Sequence, residues 1–273
     1  MHITSRDNSL LRQARAVRDG KAEELIFVEG LRLCEEALLS ALPIEAVIFS
    51  EEIARKPKAA RIIEALTKVS SRIASVSEKL LESASYTKTP QGIVVLAQRP
   101  EANENQLIQR LGDNSLLVIM HHLNNPVNVG AILRTAEAAG ATGAIATKKT
   151  SDPFSPKALR GAMGSAFRLP IWIGPTYEEV IDWCTRRSIL SVCAAAAGRI
   201  LYTDLDWTGR RCLILGPEST GLTTDEISAA GQTVSIPMQG SVESLNVSVA
   251  AGILLYEAAR QRHVRQSLDV RKT

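Results

Sequence analysis

The sequence predicts an α/β protein whose larger part is a mostly parallel sheet covered by helices on both faces. Three observations carry that expectation. Short apolar runs suited to doubly buried strands alternate with helical patterns along the chain. These runs break into polar turns that bear glycine, as at Gly216-Pro-Glu-Ser-Thr-Gly221. With 273 residues, 45% of them hydrophobic, the chain can fill one large or two modest cores.

Residues 1–98 read as a separate small α/β unit. Ser5 or Asp7 is placed to cap a first helix with Leu10, Leu11, Ala14 and Val17 on its apolar side. Arg12, Arg15 and Arg18 recur on another side, where Asp7, Asp19, Glu23 and Glu24 keep the stretch from being a simple basic patch. Strands are predicted over 25–28, 46–49 and 92–97, with helices over 31–40 and 59–67. The polar stretch 99–113, containing Pro100, reads as a linker.

The second domain, 114–273, opens on a continuous apolar run at 115–120 that suits a buried strand. A helix over 130–139 stops at Gly140, and a strand follows over 143–146. Ser155-Pro156 starts the next helix in the favoured order, cap then proline, and it is expected to lead on to Phe167. A strand over 171–173, a helix over 177–187 and a strand over 189–194 come next. Strands over 213–216 and 233–236 precede a last helix from Asn246 to Arg262. Val249, Ile253, Leu254 and Tyr256 fall near helical spacing on it.

Composition excludes several classes. The 32 basic residues barely exceed 29 acidic ones, a balance that permits a polyanionic partner without arguing for one. Aromatics are only 4%, too few for extended base stacking to dominate a nucleic-acid contact. Cys34, Cys184, Cys193 and Cys212 are scattered, with no C-x-x-C, and read as buried thiols rather than disulfides or metal ligands. No apolar signal region opens the chain, and no apolar run reaches the roughly 20 residues of a membrane span. A soluble, cytoplasmic protein without a metal is expected.

Two nucleotide motifs fail. Gly216-x4-Gly221-Leu-Thr223 has the outline of a phosphate-binding P-loop, but Leu222 stands where the motif requires lysine. No G-x-G-x-x-G follows a predicted strand, which counts against a dinucleotide fold. The loops after 213–216 and 233–236 instead suit a ligand held by backbone groups.

Three stretches combine glycine with fixed polar residues: Asn128-Val-Gly-Ala-Ile-Leu-Arg134-Thr-Ala, Leu215-Gly-Pro-Glu218-x-x-Gly221-Leu, and Ile236-Pro-Met238 followed by Ser244-Leu-Asn246-Val-Ser-Val-Ala. Together they resemble the motifs of the SpoU/TrmH-type RNA ribose 2′-O-methyltransferases of the SPOUT superfamily. Ile3-Thr-Ser-Arg-Asp-Asn8, Phe27-Val-Glu-Gly30 with Arg32, and Gln91-Gly-Ile93 resemble that family's L30-like substrate-binding domain. Pro217 departs from the pattern, because the family commonly has asparagine between the Gly and Glu of the second motif.

The resemblance implies a deep C-terminal trefoil knot, S-adenosylmethionine as cofactor, and a homodimer whose active site draws on both subunits. It implies cofactor contacts at Leu215, Gly216, Gly221, Ile236, Met238, Leu245 and Asn246. Catalytic roles fall to Arg134, Asn128, Glu218, Ser244 and Asn246. RNA contacts are expected at Arg6, Asn8, Arg12, Lys21, Arg32, Arg160 and Arg168. Methyl transfer from a sulfonium is an in-line displacement, so a protein must align a hydroxyl and help it lose its proton. A guanidinium stays protonated, so Arg134 is expected to bind the target phosphate and polarise the 2′-hydroxyl rather than act as a literal base. His121 and His122 are expected to be structural or to lie at the substrate edge. The implied substrate is ribosomal RNA, most of all 23S. The alternatives are a transfer-RNA ribose methylase and a non-catalytic RNA-binding or ribosome-assembly factor of the same fold.

Overall fold

In the first unit, the apolar spacing of residues 10–17 does what a helix requires. The computed structural model describes residues 1–270 apart from Lys88, Ala196 and Ala197, with side chains through Val264. After β1 (His2–Ile3), helix α1 (Ser9–Arg18) buries Leu10, Leu11, Ala14 and Val17. Its cap is Asn8, whose Oδ1 accepts from the Leu10 N–H at 2.9 Å; neither Ser5 nor Asp7 fills that role. There follow β2 (Leu25–Glu29), α2 (Leu31–Leu39), β3 (Ile44–Ser50), α3 (Glu51–Ala54), α4 (Pro57–Thr67), β4 (Arg72–Val76), α5 (Glu78–Ala84) and β5 (Ile93–Gln98).

These strands form one sheet in the order β1-β4-β3-β5-β2. β1, β4 and β3 run parallel, while β5 lies antiparallel to both β3 and β2. Sequence reading missed β4 and α5. In β4 only Ala74 and Val76 are buried, so it lacks the apolar run that marks β5.

The second unit comprises Glu101–Pro153 and Leu169–Thr273; the first takes Met1–Pro100 and, in addition, Phe154–Arg168. Two sequence expectations change here. The stretch 99–113 is no passive linker, because α6 (Glu104–Ile108) buries Leu107 in the second unit's core. Glu104 also accepts from the Trp183 indole at 2.6 Å. The second change concerns Phe154–Arg168, expected in the C-terminal domain but packed with the first unit. There Arg168 pairs with Glu36 at 2.5 Å, and the Arg99 guanidinium lies 4.8 Å from the Phe154 ring centre.

Along the chain come β6 (Leu116–Met120), α7 (Pro126–Ala138), β7 (Gly143–Ala146), α8 (Pro156–Ala162) and α9 (Ser165–Arg168). Ser155 caps α8 as its sequence predicts, but Met163 and Gly164 both take positive φ and end the helix before Phe167. Next are β8 (Ile171–Ile173), α10 (Tyr177–Arg186), β9 (Leu190–Ala194), β10 (Ile200–Leu201), β11 (Arg211–Leu215), α11 (Thr224–Ala229), β12 (Gln232–Ser235) and α12 (Val247–Val270).

Seven strands of the second unit form a parallel sheet in the order β10-β12-β9-β11-β6-β7-β8. The chain steps outward from β6 through β7 to β8. It then returns to the other side as β9, and β11 fills the slot between β9 and β6. Every residue of β6 is buried, as its unbroken apolar run demands.

Helix α12 packs on α7, and of the apolar residues expected at helical spacing Leu254 is buried while Val249 and Tyr256 are not. Ala251, Leu254, Leu255 and Ala258 are buried, whereas Val249 and Tyr256 are more than half exposed. Near the far end of α12 the buried Arg262 donates to the carbonyls of Asn114, Ser115 and Gly209. Burial, with nearby Arg211, lowers its pKa to about 10. Gln261 accepts from the Trp207 N–H at 2.9 Å and donates to the Leu205 carbonyl at 3.0 Å. All four cysteines are free and buried. No helix among the described residues is long and apolar enough to cross a membrane.

Replacing Leu107 with alanine is expected to destabilise the second unit by about 2–5 kcal/mol, the cost of a core cavity. Denaturant unfolding measures this; an unchanged midpoint would return 99–113 to the role of linker.

Candidate active site

The carboxyl ends of β6, β9, β11 and β12 meet where the strand order reverses, the usual place for a ligand in an open parallel sheet. Each of these ends is followed by a polar, glycine-bearing or small-residue turn. Asn125 caps α7 by accepting from the Val127 N–H, which leaves the Asn128 side chain free for other work. Asn128 is buried.

Asn128 Nδ2 donates to Glu218 Oε1 at 2.7 Å, and Asn128 Oδ1 accepts from Asn246 Nδ2 at 3.4 Å. Asn246 Oδ1 accepts in turn from the Ser248 N–H at 2.9 Å and the Ser248 hydroxyl at 2.6 Å. A carboxylate can only accept and a backbone N–H can only donate, so both amides are fixed in orientation from the two ends of the chain. Three segments far apart in sequence are thereby joined. Asn246 also starts α12, since the Val249 and Ala250 N–H groups donate to its carbonyl.

Beside this relay lies a cavity of about 510 Å³, within the roughly 300–1,000 Å³ of small-molecule sites. Leu215, Gly216, Gly221, Ile236, Met238, Leu245, Glu218 and Ser244 line it. Asn246 is not among the lining residues but joins the relay next to them. Ala194, Ala195, Ser219, Thr220, Leu222, Ile227 and Val234 also line it and escaped sequence reading. For Ala194, Ala195, Ser219 and Thr220 the signal was positional only, at or just past strand ends, whereas Ile227 lies within α11 and Val234 within β12.

Gly216 is there for space. A Cβ on it would meet Leu222 Cγ at 2.8 Å and the Leu222 backbone nitrogen at 3.1 Å. Apolar walls from Leu215, Leu222 and Ile236 suit an adenine, and the carboxylates of Glu218 and Glu243 suit a ribose and a cationic sulfonium. The residues present therefore fit S-adenosylmethionine.

Arg134 is exposed on the same helix as Asn128 and has no hydrogen bond or ion pair among the described residues. The remaining basic residues differ in availability. Arg6, Arg12, Lys21, Arg32 and Arg160 are exposed, whereas Arg168 is held by Glu36 and Asn8 is occupied as a cap. Arg6 lines a second cavity of about 390 Å³ with His2, Thr4, Ser77 and Lys79.

His121 is a buried strut, one of the two roles expected of it. Its ring bonds Thr147 Oγ1 at 3.0 Å and Glu226 Oε1 at 2.9 Å. The carboxylate accepts from Nε2–H, so Nδ1 accepts the Thr147 hydroxyl. Glu226 Oε2 accepts from the Thr223 N–H at 2.8 Å, and its carbonyl accepts the Tyr177 hydroxyl at 2.7 Å. The strut thus holds α11, whose Ile227 forms a wall of the cavity. His122 stacks on His121 with ring centres 3.9 Å apart.

A parallel sheet whose order reverses at a cleft lined by glycine-bearing turns defines a class, the open α/β proteins that bind a ligand at strand ends. Residues 115–256 match the SpoU rRNA methylase family, and residues 10–95 match the MRM3-like substrate binding domain. The chain is 30% identical to a 23S rRNA (uridine-2′-O)-methyltransferase of Streptomyces viridochromogenes, over 95% of this chain and 92% of the relative. It is 36% identical to the 23S rRNA (guanosine-2′-O-)-methyltransferase RlmB of Coxiella burnetii, over 63% of this chain and 70% of that one. An AdoMet-bound rRNA methyltransferase from Sinorhizobium meliloti superposes with a TM-score of 0.83 at 29% identity, covering 95% of this chain and 97% of its own. The chain belongs to the SpoU rRNA methylase family. It is an S-adenosylmethionine-dependent RNA methyltransferase.

Burial, with the charge of His122, lowers the pKa of His121 from its ordinary 6.5 against the opposing pull of Glu226 and Glu178. Burial raises the pKa of Glu226, but the Thr223 bonds and His121 bring it below 4.5 on balance. A lowered histidine contributes stability that is full above about pH 6.5 and lost as pH falls. Melting temperature should therefore drop between about pH 7 and about pH 5, and His121→Gln should flatten that slope. Parallel slopes for the two proteins would remove His121 as the source.

Proposed function

We propose that this protein methylates a ribose 2′-hydroxyl of 23S ribosomal RNA. The observation that carries the reading is the Glu218–Asn128–Asn246 relay beside a cavity fitted to the cofactor. A relative over nearly the whole chain, and others over 59–74% of it, are named for this reaction on that RNA. A ribosomal substrate favours the cytoplasm as the compartment.

S-adenosylmethionine supplies a methyl carbon made electrophilic by its positive sulfur. Leu215, Gly216, Gly221, Ile236, Met238 and Leu245 hold the cofactor along the cavity. Asn128 and Asn246, locked by Glu218 and Ser248, present carboxamides of fixed orientation to the target ribose. Ser244 stands at the cavity edge as a further hydroxyl contact. Arg134 binds the phosphate next to that ribose and stabilises negative charge on the attacking oxygen, which lowers the cost of losing its proton. Residues 1–98, with Arg6, Arg12, Lys21 and Arg32, bind the surrounding RNA, and Arg160 and Arg168 add to that surface. Asn8 serves it by shaping the turn that carries Arg6.

The C-terminal segment is read as threaded into the trefoil knot of its family. Support comes from the late insertion of β11 between β6 and β9 and from the anchoring of α12 at Arg262. The protein is read as a homodimer that completes each site with its partner. Val127, Val249 and Tyr256, exposed on two helices that pack together, supply an apolar face for that contact. Sedimentation should give a dimer that Tyr256→Glu converts to monomers; a monomeric parent protein would contradict this.

Arg134→Ala should lower transfer of labelled methyl into 23S ribosomal RNA by at least about 100-fold, the scale of a lost transition-state donor. Calorimetric titration of the cofactor should stay within a few-fold of the parent. Undiminished turnover would remove Arg134 from the mechanism, and absence of cofactor binding in the parent protein would favour a non-catalytic factor.

A further inference from the structure

Glu29 is the unusual buried charge of the first unit. It ends β2 with only 5% of its surface exposed and has no ion pair among the described residues. Burying a carboxylate costs several kcal/mol unless hydrogen bonds replace its water. All of its hydrogen bonds go to one short turn. Oε2 accepts from the Tyr86 N–H at 2.9 Å and the Thr87 N–H at 3.3 Å, and Oε1 accepts from the Thr87 hydroxyl at 2.6 Å.

The turn so fixed presents an aromatic ring to solvent. Tyr86 is 44% exposed and is the one exposed residue among the described Phe, Tyr and Trp of that unit. The loop returns to the same place at Gln91. A Cβ on Gly30, the residue after Glu29, would lie 2.6 Å from the Gln91 side-chain oxygen. Two residues further on, Arg32 is exposed in the first turn of α2 and without a partner among the described residues.

We propose that Tyr86 is a rigid platform on which an unpaired base of the substrate RNA stacks, with Arg32 taking a neighbouring phosphate. The proposal rests on the reading that the first unit binds RNA. An aromatic face, an amide and a free guanidinium around Gly30 match a base, its polar edge and its phosphate, and the carboxylate nearby is turned inward. Bases within an A-form helix are closed to side chains, so the partner is a single-stranded loop or bulge. One such ring is consistent with a chain poor in aromatics, because stacking contributes about 1–3 kcal/mol per base.

The test uses the full-length protein and protein-free 23S ribosomal RNA in filter binding. Tyr86→Ala should weaken binding by about 5- to 100-fold, the stacking range converted at 1.4 kcal/mol per tenfold. Tyr86→Phe, which keeps the ring, should stay within about twofold, and cofactor affinity should be unchanged in both. RNA binding by Tyr86→Ala equal to the parent would overturn the proposal. A loss in Tyr86→Phe as large as in Tyr86→Ala would also overturn it, by assigning the effect to the hydroxyl. If the parent protein itself retained no RNA, the broader reading of the first unit would fail first.

Discussion

A carboxylate that can only accept and a backbone N–H that can only donate hold two carboxamides between them, and the proposed active site depends on that constraint. Glu218 follows β11, Asn128 sits in α7 after β6, and Asn246 starts α12 after β12. None of the three is near another in sequence. Remove the Glu218 end and only a 3.4 Å contact to Asn246, itself still held by Ser248, orients the Asn128 carboxamide. The relay therefore ties the start of the last helix to the loop that forms the cavity floor.

The rest of the second unit keeps those ends in register. A fully parallel sheet sends every strand's carboxyl end to the same side, so the loops after β6, β9, β11 and β12 converge without further design. Insertion of β11 between β6 and β9 brings Glu218 within reach of Asn128. The His121 strut fixes α11 from below, and Arg262 fixes the far end of α12. Both devices bury charged or titratable groups and satisfy nearly all of their polar atoms. Arg262 Nε is the exception, a buried donor without a partner.

Much of this was legible in the sequence, for physical reasons. Unbroken apolar runs such as Leu116–Met120 admit few readings other than a buried strand, and Ser155-Pro156 admits few other than a helix start. The motif residues Asn128, Glu218 and Asn246 were legible through their family pattern, though not through spacing. What stayed hidden depends on tertiary contact. Helix α6 has only one buried residue, Leu107, in a polar stretch that local pattern reads as linker. Phe154–Arg168 packs with the first unit because of partners more than fifty residues away, Glu36 and Arg99. The exposed face of α12 misled in another way: Val249 and Tyr256 are apolar but not buried, as a helix with a second, surface-facing stripe would be.

The central claim is that the relay and its cavity direct a methyl group to a ribose oxygen. A 2′-O-methyl blocks alkaline cleavage of the adjoining phosphodiester, so the product carries its own signature. The most direct measurement is alkaline hydrolysis of 23S ribosomal RNA after reaction with the protein and methyl-labelled S-adenosylmethionine. Label recovered in an alkali-resistant dinucleotide is the predicted result. Label in mononucleotides, which places the methyl on a base, would contradict it.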